Sequence, residues 1–326
     1  MAYARSRRLL LTAAAVMLGC MPTIARAAWP DRPIRLVVPY QPGGGSDLVA
    51  RIVAAKAQEF LGQPVVVENR SGANGTIAGR FVATSAPDGY TLLIDSVSIA
   101  QNASLFRNPP FKAGEDLLPI AQLVEFPFVV AMNKQVPARD VAGLVALAKQ
   151  RPGALNVAES GASPRLVAEL FRLTAGVQFT FVPYRGSAPS VSALLSGEVD
   201  LFFSDLPSIA QYVGDPASAV TAVAMTGRQR SALIPNVPTA REVGMPRFET
   251  LSWYGVFAPR ALPMEIAQSL NQALNLALQT EEVKARLAQL SCDPANLSQA
   301  EFAAFFQKEL IQWREVIRAA DMPMVD

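Results

Sequence analysis

From residue 33 onward the chain alternates short β-branched runs with helical stretches, and the alternation starts again halfway along. Residues 33–40 (PIRLVVPY) are an apolar run bounded by prolines, which reads as a buried strand. A tight loop at 41–45 follows. Ser46 or Asp47 then caps a helix that runs to Leu61 and stops at Gly62, a residue suited to the left-handed position past a helix end. Residues 64–68 read as a second strand, 75–84 as a second helix and 90–95 as a third strand. This βαβαβ order predicts an α/β fold with parallel strands covered by helices.

The second run has the same grammar. A helix over 141–150 stops before Pro152, because proline disfavours a helical residue ahead of it. Strands at 155–158, 179–183 and 199–203 alternate with helices over 165–175 and 190–196, and 220–225 (VTAVAM) reads as a further strand. The last part is helical. Pro263 opens a segment with Ile266, Leu270, Leu274 and Leu278 on one face, Thr280 starts the next, and Ser298 with Glu301 forms a capping box. Between the two runs there is no Gly/Ser linker. Extended apolar segments at 123–132 and 252–259 read instead as two crossovers. Residues 28–128 and 252–326 are therefore expected to form one lobe and 129–251 the other. A ligand would bind between them, beyond the carboxyl ends of the strands.

The N-terminus points to export. Arg5, Arg7 and Arg8 precede an apolar stretch over 9–19 and the small-residue sequence Ala25-Arg26-Ala27, the order of a secretory signal peptide. The stretch falls short of the roughly 20 residues that a membrane span needs. Residues 6–10 (SRRLL) loosely resemble a twin-arginine signal, and Cys20 is an alternative lipid-attachment point. Cleavage near Ala27 and a periplasmic location are the expectation. The leader holds four of the 29 basic residues and none of the 27 acidic ones, so the remainder carries 25 against 27. No basic stripe is left to follow a phosphate backbone, which argues against nucleic acid. Cys292 is the one cysteine beyond the leader, so no internal disulfide is expected.

The chain has no histidine. That removes Ser-His-Asp and Cys-His catalysis, HExxH zinc sites and imidazole bases together. No GxSxG, Walker A or GxGxxG motif replaces them. An enzyme that runs on carboxylates or lysine stays open, but with the usual repertoire absent the expectation is a binding protein with no cofactor and no metal.

The sharpest local feature is Tyr40-Gln41-Pro42-Gly43-Gly44-Gly45-Ser46-Asp47, placed between a strand and a helix. Three glycines let the backbone approach a ligand with its N–H groups, and the helix start adds partial positive charge. Asp47 already places a negative charge there, so a carboxylate suits the loop better than a multiply charged phosphate. A plain turn with Asp47 as its cap is an equal reading from chemistry alone. Ser96 and Ser98, Ser160, Gly161 and Ser163, Tyr184, Arg185 and Gly186, and Ser204 and Asp205 lie at other strand ends. In a parallel sheet these loops collect at one edge. Trp253 and Tyr254 either line the cleft or pack in the core, and the core is favoured.

Taken in order, VVPYQPGGGSD, PVVVENRSGANGTIAG, PDGYTLL, VPYRGSAP, GEVDLFFSDLPS, IPNVPTAREVG and SWYGVFAP resemble the substrate-binding proteins of tripartite tricarboxylate transporters, the Bug family. The resemblance runs from Trp29 to the last helix. It implies a two-lobe periplasmic binding fold of the type II kind, each lobe a mainly parallel sheet flanked by helices. It also implies a small carboxylate held by loop backbone, hydroxyls and bridging waters, and two integral membrane subunits as partners. The receptor is expected to act as a monomer. A ligand-presenting subunit for a membrane signalling kinase is the alternative, because it would use the same cleft. One loop departs from the family: residues 159–165 look short, with Pro164 and Arg165 where small polar residues are usual. Arg165 is expected to alter ligand preference by meeting a second carboxylate.

Overall fold

The computed structural model describes residues 29–184, 187–322 and 324. The expected leader at 1–27, and Arg185 and Gly186 of the expected site, lie outside them. β1 (Ile34–Val38) pairs in parallel with both β2 (Val65–Asn69) and β3 (Thr91–Ser96), with Leu36 opposite Val67 on one side and Leu92 on the other. Side chains alternate across a strand. Ile34, Leu36 and Val38 accordingly enter the core cluster under α1 (Gly45–Leu61), while Val37 enters the cluster on the opposite face. Helix α1 ends at Gly62 with φ 70°, whose N–H donates to the Gln58 carbonyl. Helices α2 (Thr76–Ala83) and α3 (Ser98–Leu105) complete this first set of strands. The sequence places residues 96–98 in a loop after the third strand and predicts no element over 99–105, where the structure has this helix.

β4 (Leu117–Asn133) is longer than the crossover expected at 123–132. Its first part, Leu117 to Pro127, pairs with β9 (Leu251–Pro259), and its remainder pairs with β7 (Leu201–Asp205) and β8 (Val220–Met225). The strands between form the second set. β5 (Asn156–Glu159) pairs in parallel with β6 (Thr180–Pro183) and with β7. Helices α4 (Val141–Gln150), α5 (Ala162–Ala175), α6 (Ser187–Ser196) and α7 (Leu206–Val213) accompany it. The chain closes with α8 (Met264–Gln279), α9 (Glu281–Gln289), the two-residue strand β10 (Asp293–Pro294) and α10 (Gln299–Ala319).

Pairing is parallel within β1–β3 and within β5–β7. Every antiparallel pair of named strands involves β4 or β9. The sheet is thus more mixed than the strand–helix alternation implies, because one crossover carries the chain out and the other brings it back. The C-terminal helix is tied to the return strand by chemistry as well as packing. Ser298 and Glu301 form the expected capping box. Trp253 on β9 and Trp313 on α10 both donate their indole N–H to Oε2 of the buried Glu309, at 2.9 and 3.1 Å. Among the described residues no helix is long and apolar enough to cross a membrane.

Candidate functional site

The loop after β1 is fixed from below. Asp47, 2 % exposed, accepts from the Gly43 amide at 2.9 Å, from Asn69 Nδ2 at 2.9 Å and from Arg51 Nε at 3.0 Å. Burial works against its charge, but the bonds from Arg51, Gly43 and Asn69 prevail and hold the carboxyl down to about 2. Asp47 is therefore neither a free charge at the helix start nor its cap. It sits inside the first turn of α1, with Gly44 at the cap position, and pins Gly43 at φ 86°. That conformation favours glycine. Leu48 donates back to the Gly44 carbonyl, and the amides of residues 44–47 donate to no acceptor among the described residues. Those are the orphan donors of a helix start, here at an exposed glycine turn.

A second group of hydroxyls stands beside this loop. Tyr40 Oη and Ser98 Oγ are 2.6 Å apart, Ser98 and Ser96 Oγ are 2.7 Å apart, and Ser98 donates to Asp95 Oδ1 at 3.1 Å. Asp95 also accepts from the Ser96 amide at 2.7 Å. Burial pushes its carboxyl up to about 7, against the bonds from Ser96, Ser98 and Tyr40. The Tyr40 phenol is pushed up in turn by burial and by Asp95. Asp95 escaped the sequence reading because it lies within the strand rather than after it.

Gly43, Gly44 and Gly45 form one wall of a cleft of about 570 Å³ that Asp205, Ser208 and Tyr254 help to close. Among the described residues lining it there is no Lys or Arg, and Asp205 is the one carboxyl. Burial pushes the Asp205 carboxyl up, although Ser208 and Ser204 bond to it. Tyr254 lines it beside the glycine loop. A Cβ on Gly45 would lie 2.7 Å from its hydroxyl, and its phenol is raised by burial, then by Asp205, Cys292, Tyr40 and Asp95. The sequence reading favoured the core for Trp253 and Tyr254. Alternation along β9 settles this in two ways: Trp253 is fully buried, and Tyr254 faces the cleft. Another hollow, of about 610 Å³, between α4 and residues 243–247 includes none of the strand-end loop residues.

The remaining expected residues are distributed as follows. Pro42 is exposed at the turn and Ser46 is buried beneath it. Ser160 Oγ is buried without a partner, Gly161 has φ 145°, and Ser163 Oγ donates to Gln101 Oε1 at 2.6 Å. The Tyr184 hydroxyl donates to Glu198 at 2.7 Å, and burial together with that carboxylate pushes it up to about 12. Tyr184 does not line the cleft. Ser204 belongs to β7 rather than to a loop after it; it is fully buried, and its hydroxyl turns to Asp205. Arg165 is consumed locally. It donates to Glu159 at 2.7 Å and to Glu169 at 2.9 and 3.0 Å, and its guanidinium lies 3.5 Å over the Phe181 ring. In this structure its donors are thus directed to Glu159 and Glu169, where the expectation had them meet a second ligand carboxylate.

A sequence profile of the tripartite tricarboxylate transporter family receptors matches residues 49–322. Protein BugT of Bordetella pertussis is 35% identical over 304 residues, which cover 92% of this chain and 93% of that one. Among solved structures, MatC from Rhodopseudomonas palustris with bound malate is similar at 32% identity and a TM-score of 0.75, covering 89% of this chain and all of that one (100%). A second R. palustris protein, solved with adipate, is similar at 34% identity and a TM-score of 0.78, covering 90% and 98%. Family and fold are those of solute-binding receptors rather than enzymes. With its ordered motifs, its paired strand sets and this match along most of its length, the chain belongs to the tripartite tricarboxylate transporter receptors of the Bug family and has their two-lobe periplasmic binding protein fold.

Proposed function

We propose that this chain is an exported receptor that captures a small carboxylate between its lobes and delivers it to two integral membrane transporter subunits. Residues 28–128 with 252–326 form one lobe and 129–251 the other, after removal of the leader near Ala27, and the receptor works as a periplasmic monomer. The observation that carries the reading is the pair of unclaimed amides of Gly44 and Gly45, in a turn that lines a cleft with no cation among its described residues. Backbone N–H groups at a helix start bind an anion without a counter-charge. Relatives solved with malate and adipate supply the ligand class. Tyr40, Pro42, Ser46, Asp47, Ser96 and Ser98 build one side of the site, as support or as contact. Ser160, Gly161, Ser163, Arg185, Gly186, Ser204 and Asp205 build the other, with Tyr184 behind it as support through Glu198.

A thermal-shift screen of the exported protein, refolded to strip bound solute, tests this against malate, adipate, other small acids, sugars and amines. An acid at 100 times its dissociation constant should stabilise the protein by about 2.7 kcal/mol, a rise of several degrees. A shift with sugars or amines and none with acids would overturn the reading.

A further inference from the structure

Tyr254 lies within β9, in register with Ser96 of β3 on one side and Val124 of β4 on the other. Its ring packs on Phe126, with the centroids 5.2 Å apart, which limits where the phenol can point. The hydroxyl end meets the glycine loop: a Cβ on Gly45 would lie 2.7 Å from Oη, against 3.6 Å from the nearest ring carbon. Tyr254 thus lines the cleft beside Gly44 and Gly45, whose amides are unclaimed. None of the described hydrogen bonds engages its hydroxyl, which is not sealed away as Ser160 Oγ is. Burial and then Asp205 raise the phenol well above its usual range, so it keeps the proton it would donate. A carboxylate offers about four lone-pair sites, and two amides leave room for a third donor.

We propose that Tyr254 is a ligand contact: its hydroxyl donates to the same carboxylate that the Gly44 and Gly45 amides hold, completing a clamp of three neutral donors. This deepens the receptor reading and rests on it. It also gives Gly45 a role beyond its own amide, because a side chain there would meet the hydroxyl. The clamp reads the carboxylate end alone and is indifferent to the rest of the acid.

Calorimetric titration tests it with adipate, with hexanoate, which lacks the second carboxylate, and with any other acid that the thermal screen identifies. Tyr254→Phe keeps the ring on Phe126 and removes only the hydroxyl. It should weaken every acid alike by about tenfold, the usual scale for a hydrogen bond to a charged group. The ligand-free melting temperature should stay where it is, since the hydroxyl has no protein partner to lose. Gly45→Ala should also weaken each acid about tenfold in the wild-type background, but by less than about twofold when added to Tyr254→Phe. Unchanged affinities in Tyr254→Phe would overturn the proposal and leave Tyr254 a packing residue. A loss for adipate with none for hexanoate would overturn it too, by placing the hydroxyl at the other end of the acid. If Tyr254→Phe does not fold, Gly45→Ala carries the test, and full affinity there overturns the clamp. Wild type that binds none of the screened acids sinks the receptor reading, and this inference falls with it; wild type that binds, with Tyr254→Phe its equal, sinks this inference alone.

Discussion

Asp47 lies in the first turn of α1, just beyond β1, and Asp95 near the end of β3, and each carboxyl is only 2 % exposed. Asp47 meets an arginine, an amide N–H and an asparagine, and is held down to about 2. Asp95 meets two hydroxyls and one amide, and burial lifts it to about 7. Donors reach both oxygens of Asp47, whereas the bonds described to Asp95 all end on Oδ1. The cation is a second difference: Arg51 reaches Asp47, and no Lys or Arg touches Asp95 through any hydrogen bond or ion pair described. Burial alone does not decide whether an acid keeps its charge, because neutral donors offset only part of the lost hydration.

The largest effect expected from this contrast lies in pH. The unfolded Asp95 carboxyl titrates near 3.9. Between about pH 4 and pH 7 the folded protein therefore keeps a proton that the unfolded chain has lost. Stability should fall as pH rises through that window, by up to about 4 kcal/mol at roughly 1.4 kcal/mol per unit. Asp95→Asn should remove this share of the slope and flatten the profile, matching wild type near pH 4 and exceeding it at pH 8. Denaturant midpoints measured across that range check this, and parallel slopes for the two proteins would break the contrast.

Asp47 should behave in the opposite sense. Its contribution is present above about pH 4 and lost as pH falls toward 2. Asp47→Ala should cost about 2–3 kcal/mol at neutral pH, since several donors lose one charged acceptor, and the deficit should vanish in acid. The smallest effect comes from Arg165→Ala, which tests how many cations a buried acid needs. Glu169 would still have Arg172, so a loss of about 1 kcal/mol is expected. With the donors of Arg165 engaged by Glu159 and Glu169, affinity for any bound acid should change by less than about twofold. A tenfold loss would restore Arg165 to the site.

What was legible in the sequence follows the same division between local and distant causes. Strands β1, β2, β3 and β8 are apolar runs bounded by turn residues, and Gly62 and Ser298 mark helix ends through their own backbone chemistry. Helix α3 was missed because no side chain caps it and Val97 already has a helical backbone where an extended cap is usual. Its serines read as a loop. The glycine loop was visible as a place for an anion, but the role of Asp47 was not. Asn69 is 22 residues away along the chain, and that distance is closed only by the pairing of β1 with β2. Tyr254 is a similar case. Alternation on β9 announces two faces, and only the fold says which of them meets Gly45.

β4 has a mechanical consequence. It passes from one strand set to the other in 17 residues, all of them buried except the half-buried Glu125, and β9 lies against its first part. A protease looking for a joint between the lobes meets paired backbone in place of an open tether. The two strand sets are thus joined by backbone that is itself buried and hydrogen-bonded, so separating them would break strand pairing as well as side-chain packing.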